Sequence, residues 1–252
     1  MEEVRERGWA SGLGNLISRE NGRWVHTRQW LWNVLIWLGL VTGLVTMVIM
    51  ESGGEVDFGV MMLGEFTASI VPAGIIIMLQ NEVVKEKELG TAAWVLSSPV
   101  SREAFILAKI LVNIPWVLGI TVVLQWAASW LVFAAFYQPR VPAPVYIASM
   151  GINLLHAVFW ITLTLMLGCF ANGRGPVIGI AMILLFLQQF LGGLLMRVHP
   201  SLRLILPQAL EEIPRAWLEG SQAETLTPVA VVSTWCVVFI TAALWRIRRE
   251  EF

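Results

Sequence analysis

Few residues in this sequence are placed to do covalent chemistry. Its three histidines, His26, His156 and His199, fall in stretches expected to lie in different compartments, so they cannot converge on one site. Cys169 and Cys236 both sit inside apolar runs without the paired spacing that a disulfide or metal site needs, and read as small core residues. The lysines are Lys85, Lys87 and Lys109, and none belongs to a GxxxxGK[ST] phosphate loop. HExxH and GxSxG motifs are also missing. The sequence therefore offers neither catalysis nor nucleotide binding by these devices, and no cofactor is expected.

Polar residues within apolar runs are the next candidates. Glu65 is the one acid well inside such a run. An ionised acid at a bilayer centre costs roughly 2.5–3.5 kcal/mol on insertion scales, so such a residue faces protein or water. It either reaches the outer interface or borders a path. Asn153 and His156, one helical turn apart, either hydrogen-bond between helices or border the same path. Glu65, Asn153 and His156 are thus the candidate translocation residues.

The largest polar island is Glu82–Ile110, which lies between strongly apolar runs. Residues 82–89 are rich in Glu and Lys and continue a membrane helix into water. Gly90-Thr91 can break or bend that helix. Trp94, Val95 and Leu96 then form a short apolar patch, and Ser97-Ser98-Pro99 redirects the chain. The next helix can be capped by Ser98 with Pro99 at its first position, or by Ser101 with Glu103 in its first turn; the spacing allows both. A transverse apolar patch facing water calls for a protein partner.

The elements that position these residues follow from composition. Of 252 residues, 57% are hydrophobic and 14% charged, against roughly a quarter charged in an average soluble domain. The apolar residues are grouped in runs near the ~20 residues needed to cross a bilayer as helix. Six spans are expected, at about 30–50, 58–80, 110–137, 145–170, 177–196 and 229–245. The fold class is all-α, a polytopic membrane protein forming a single domain over 1–252. Pro72 and Pro115 should kink their spans, and Gly39 and Gly43 form a GxxxG pair that permits close helix approach.

Residues 1–29 form a separate segment ahead of the first span. Trp9, Leu13, Leu16 and Ile17 share one helical face, as in an interfacial helix with Trp9 and Trp24 at headgroup depth. The proline-rich loop 197–227 should hold short helices at the outer surface. With the N-terminus inside, thirteen of the seventeen Lys and Arg fall in cytoplasmic parts and four outside. Both termini and the 81–109 segment are therefore expected in the cytoplasm. A net charge of −1 suggests no nucleic-acid partner.

The run EKELGTAAWVLSSPVSREAFILAKI resembles the cytoplasmic signature of ABC exporter membrane subunits of the type-two permease family. Glu86, Glu88, Gly90, Thr91, Leu96, Pro99, Val100, Ser101, Arg102 and Lys109 match that signature, and Ser18-Arg19-Glu20 is similar to a family feature before the first span. At Ala92-Ala93-Trp94 the family more often has acidic and leucine residues. The resemblance implies a permease subunit in the plasma (inner) membrane, forming half of an export path. It also implies a second permease copy or paralogue and separate ATP-binding cassette subunits as partners, surrounded by membrane lipid. Trp94, Val95 and Leu96 would dock on the ATPase, with Glu86 and Glu88 pairing with its basic residues. The rivals are an ion-coupled secondary transporter or channel, which should show relays of intramembrane ionisable residues, and a non-transporting anchor for an ATPase.

Overall fold

The computed structural model describes residues 8–53, 56–90, 100–136, 142–218 and 221–249. Among these the chain is helical throughout, with no strand. This follows from the apolar runs, because a backbone in hydrocarbon must satisfy its own N–H and C=O groups. The helices are α1 (Leu13–His26), α2 (Gln29–Glu51), α3 (Val56–Leu79), α4 (Val84–Glu88), α5 (Arg102–Ala135), α6 (Ala143–Phe170), α7 (Arg174–Val198), α8 (Glu212–Leu218) and α9 (Leu226–Arg248). Two 3₁₀ turns, Pro200–Ile205 and Pro207–Leu210, precede α8.

Among the described residues, five helices are long and apolar enough to cross a membrane, and α7 makes a sixth if its two parts, bent by 48° after Gln188, form one span. Pro72 and Pro115 lie inside helices that continue past them, so neither breaks its span. The α2 and α5 helices each contain a π turn, at Leu38–Thr42 and Gly119–Val123. The first bulge packs against the stretch of α5 just past the second, where the Thr42 hydroxyl donates to Gln125 Oε1 at 3.0 Å. A π turn widens the helix by one residue, which lets a buried polar side chain reach across without exposing backbone.

Central in the bundle is α6, packed against α3, α5, α7 and α9. Within the chain, close glycine contacts occur away from the GxxxG pair. A Cβ at Gly39 would meet nothing within 4 Å, and one at Gly43 only the backbone of its own helix. By contrast, a Cβ at Gly74 would collide with Cζ2 and Cη2 of the buried Trp37, and one at Gly59 with Ile49. Gly74→Ala should therefore cost about 1–3 kcal/mol through overpacking, read as a lower thermal midpoint in detergent. Gly151→Ala, whose Cβ meets nothing, should leave that midpoint unchanged or raise it.

Candidate functional site: the base of the 91–99 segment

At one end of the bundle, α1, α4 and the start of α5 converge. The α3 helix runs on through the turn at 80–83 into α4, which ends at Leu89 and then at Gly90 with φ +66°. That left-handed conformation is the one glycine adopts without a Cβ penalty, so the bend expected at Gly90 is present. Thr91, Trp94, Val95, Leu96 and Pro99 lie outside the described residues. The chain returns at Val100, and Ser101 caps α5 by accepting from the Ala104 N–H at 3.0 Å. Of the two possible caps, Ser101 makes this bond, with Glu103 in the first turn of α5.

The N-terminal segment crosses this return point. Ser101 donates its N–H to the Ser11 carbonyl at 3.0 Å and its hydroxyl to the Trp9 carbonyl. Gly12, with φ +76°, lies so close to Val100 that a Cβ there would sit 2.7 Å from Val100 Cγ2. Nearby, Arg102 donates to the Arg248 carbonyl at 3.0 Å, and Arg248 pairs with Glu103 at 2.7 Å, joining the start of α5 to the end of α9.

Beneath these contacts lies a buried group of charges. The Lys109 Nζ, with its residue 1% exposed, donates to Glu20 Oε1 at 3.0 Å and to Glu86 Oε1 at 2.6 Å. Arg23 pairs with Glu20 at 3.2 Å and also with Glu82. Three carboxylates and two cations thus bring α1, the turn after α3, α4 and α5 together. A lysine this far from water needs such partners, since an unpaired buried ammonium costs several kcal/mol. On α4, Lys87 donates to the carbonyls of Cys169 and Ala171 at 3.1 and 3.2 Å. It thereby satisfies acceptors at the C-terminal end of α6, where a cation also complements the helix dipole.

The aromatic side of α1 is held as firmly. Trp24 is buried against α5, stacked on Trp116 with centroids 5.7 Å apart, and donates to Asn113 Oδ1 at 3.1 Å. Trp116 donates to Asn21 Oδ1 at 2.7 Å. The Trp24 ring thus packs on protein, where Asn113 supplies the acceptor its N–H requires. Trp9 precedes α1 and is 61% exposed, so the helical face expected from residue 9 begins in fact at Leu13.

The expected residues divide accordingly. Gly90 stands at one end of the 91–99 segment, and Ser101 and Arg102 stand just past the other. Glu88 is exposed at the end of α4, whereas Glu86 turns inward to Lys109. Glu20 enters the sequence reading only through the Ser18-Arg19-Glu20 similarity, and Arg23 and Glu82 carry no role in it, although Glu20 and Arg23 stand at i, i+3 spacing on an amphipathic helix. Lys109, a lone lysine in an otherwise apolar run, was the clearest available signal.

Glu65, Asn153 and His156 lie at the opposite end, under α8. Glu65 pairs with Arg215 of α8. Asn153 donates to the Ser149 carbonyl at 3.0 Å, and His156 Nε2 accepts from the Trp160 indole N–H at 3.1 Å. Both bonds run within α6 rather than between helices, because a polar side chain one turn away is always in reach. Glu65 and Asn153 border one small cavity, and His156 stands 3.9 Å from Glu211 at its edge.

Membrane-length helices around a buried core define a polytopic membrane protein. Residues 66–252 match the family described as ABC-2 family transporter protein, and the chain belongs to that family. It is thus a permease of the ABC transporter type. A comparison with curated proteins gives no match to this chain.

Proposed function

We propose that this chain is the force-receiving membrane subunit of an ABC exporter, driven by a separate ATP-binding subunit and forming half of a path completed by a second permease. The supporting observation is the interlocked base of the 91–99 segment. Both ends of that segment, Gly90 and Val100-Ser101, are tied to α1 and α5 through the Glu20–Lys109–Glu86 pairs and the Ser101 bonds. Force applied to the segment would therefore move α1, α3 and α5 as a block. A motor can bias the permease only by contacts that differ between its two conformations, and a docking patch on a rigid base passes that bias to the spans.

On this reading Trp94, Val95 and Leu96, beside Thr91 and Pro99, seat on the ATPase. The exposed Glu88 faces a basic partner, while Glu86 positions the base from inside. The positive-inside distribution puts this end and both termini in the cytoplasm. The test is co-purification with the cognate ATPase. Leu96→Asp and Gly90→Pro are expected to abolish both capture of the ATPase and stimulation of its turnover, with the permease still monodisperse. Undiminished capture and stimulation in both variants would remove the assignment.

A further inference from the structure

At the end of the bundle away from α1, residues 211–215 lie across the mouth of an interior cavity of about 20 Å³, between α3, α5 and α6. That is room for about one water. Two polar atoms bordering it are buried and make no hydrogen bond among the described residues: the Trp126 indole N–H and Glu211 Oε1. Glu211 Oε1 is 3.9 Å from His156 Nε2, too far for a hydrogen bond. Across the mouth, Arg215 reaches over to Glu65 on α3. The apolar side of the turn is seated too, with Leu210, Ile213 and Pro214 buried.

An unpaired indole N–H and an unpaired carboxylate oxygen around a water-sized space form a donor and acceptor pair that an O–H group satisfies at once. In a closed apolar wall the same two atoms would each carry an uncompensated desolvation cost. We propose that residues 211–215 form a strap that closes a polar site inside the bundle. Arg215 latches it to Glu65, Glu211 seats beside His156, and lifting it admits water or a small hydroxyl-bearing group to Trp126 and Asn153. The strap holds whether or not an ATPase drives the chain.

The charged groups around the seat have consequences of their own. Facing Glu211 are His156 from α6, Glu65 from α3 and, on its own stretch, Glu212 and Arg215; Glu212 is in turn paired with Arg203 at 2.8 Å. Glu211 lies between the spans, and its carboxyl is pushed up to about 8 from an ordinary 4.5, first by burial and then by the charge of Glu212. The closed strap thus holds a proton that the open strap, with Glu211 in water, would release. Closure is strongest below about 4.5, weakens as pH climbs towards about 8, and is constant above that.

The test uses the full-length protein in detergent with Ala68→Cys, a residue bordering the cavity, and a water-soluble maleimide whose addition is followed by peptide mass. Arg215→Ala should raise the labelling rate by about two- to fivefold, the range set by a partly exposed ion pair. High salt should do the same to the parent and leave Arg215→Ala unaffected. The exchanged pair Glu65→Arg with Arg215→Glu should restore slow labelling. Across pH 4.5 to 8 the rate of the parent relative to Glu211→Gln should climb, the ratio cancelling the thiol's own titration. Gly64→Cys, also on the cavity wall with open space for its Cβ, serves if Ala68→Cys does not fold. An Arg215→Ala rate equal to the parent's at an unchanged thermal midpoint would overturn the strap, and so would a flat pH ratio.

Discussion

Lys109→Ala should leave the protein poorly folded, with a loss of about 3–5 kcal/mol, the cost of removing one partner from a buried ion pair. The ammonium is the shared donor for Glu20 and Glu86, and its residue is almost fully enclosed. Without it, two carboxylates face each other in a site that water reaches poorly. Thermal unfolding by tryptophan fluorescence and recovery from gel filtration both measure this. The sign of the effect separates charge from volume. Adding Glu20→Gln and Glu86→Gln to Lys109→Met should recover much of the loss, because an uncharged site no longer carries the desolvation cost. Glu86→Gln alone should cost less than Lys109→Ala, since Lys109 keeps Glu20. If Lys109→Ala unfolds at the parent's midpoint, the buried pairs contribute nothing to holding α1 on α5. The block proposed to transmit force would then lose its charged joint.

Trp24→Ala should cost about 3–5 kcal/mol, as for a large buried aromatic replaced by alanine. It removes the stack on Trp116 and leaves the Asn113 Oδ1 without its donor. Trp24→Phe isolates the second effect, with an expected loss of about 1–3 kcal/mol for an orphaned buried acceptor. Because Asn113 also donates to the Lys109 carbonyl at 2.9 Å, Trp24 and Lys109 share a neighbour. Their losses should fall short of additivity in the double variant, by about 0.5–3 kcal/mol for residues in one network. Additive losses in a double-mutant cycle would mean that the aromatic and charged joints act independently. Limited proteolysis between α1 and α2 gives a second readout, since detaching α1 from α5 frees the exposed Thr27-Arg28 turn to adopt the extended form a protease needs.

The helices and the site differ in how far the sequence discloses them. Span lengths, the bend at Gly90 and the cap choice of Ser98 or Ser101 are local matters. Glycine at a left-handed turn and serine ahead of a helix act through their own backbone and the next few residues, so both could be named, though only the fold chose Ser101. The amphipathic face of α1 shows that something covers it, without showing that for Trp24 this is Trp116 and Asn113 of α5. The GxxxG pair at Gly39 and Gly43 permits close approach, whereas within the chain the close contacts are at Gly74 and Gly59. A glycine's neighbour is chosen by helix register and tilt, which spacing along one helix does not encode.

By itself, the sequence determined that this chain is a helical membrane protein with no nucleotide loop of its own and a polar segment between its second and third spans. Those properties depend on contiguous residues, because a bilayer tests length and polarity along the chain. Tertiary structure alone decided which charges meet: Lys109 with Glu20, 89 residues away, and Glu65 with Arg215, 150 residues away. An ion pair depends on distance in space, and nothing along the chain marks which of several acids the fold will bring to a given cation.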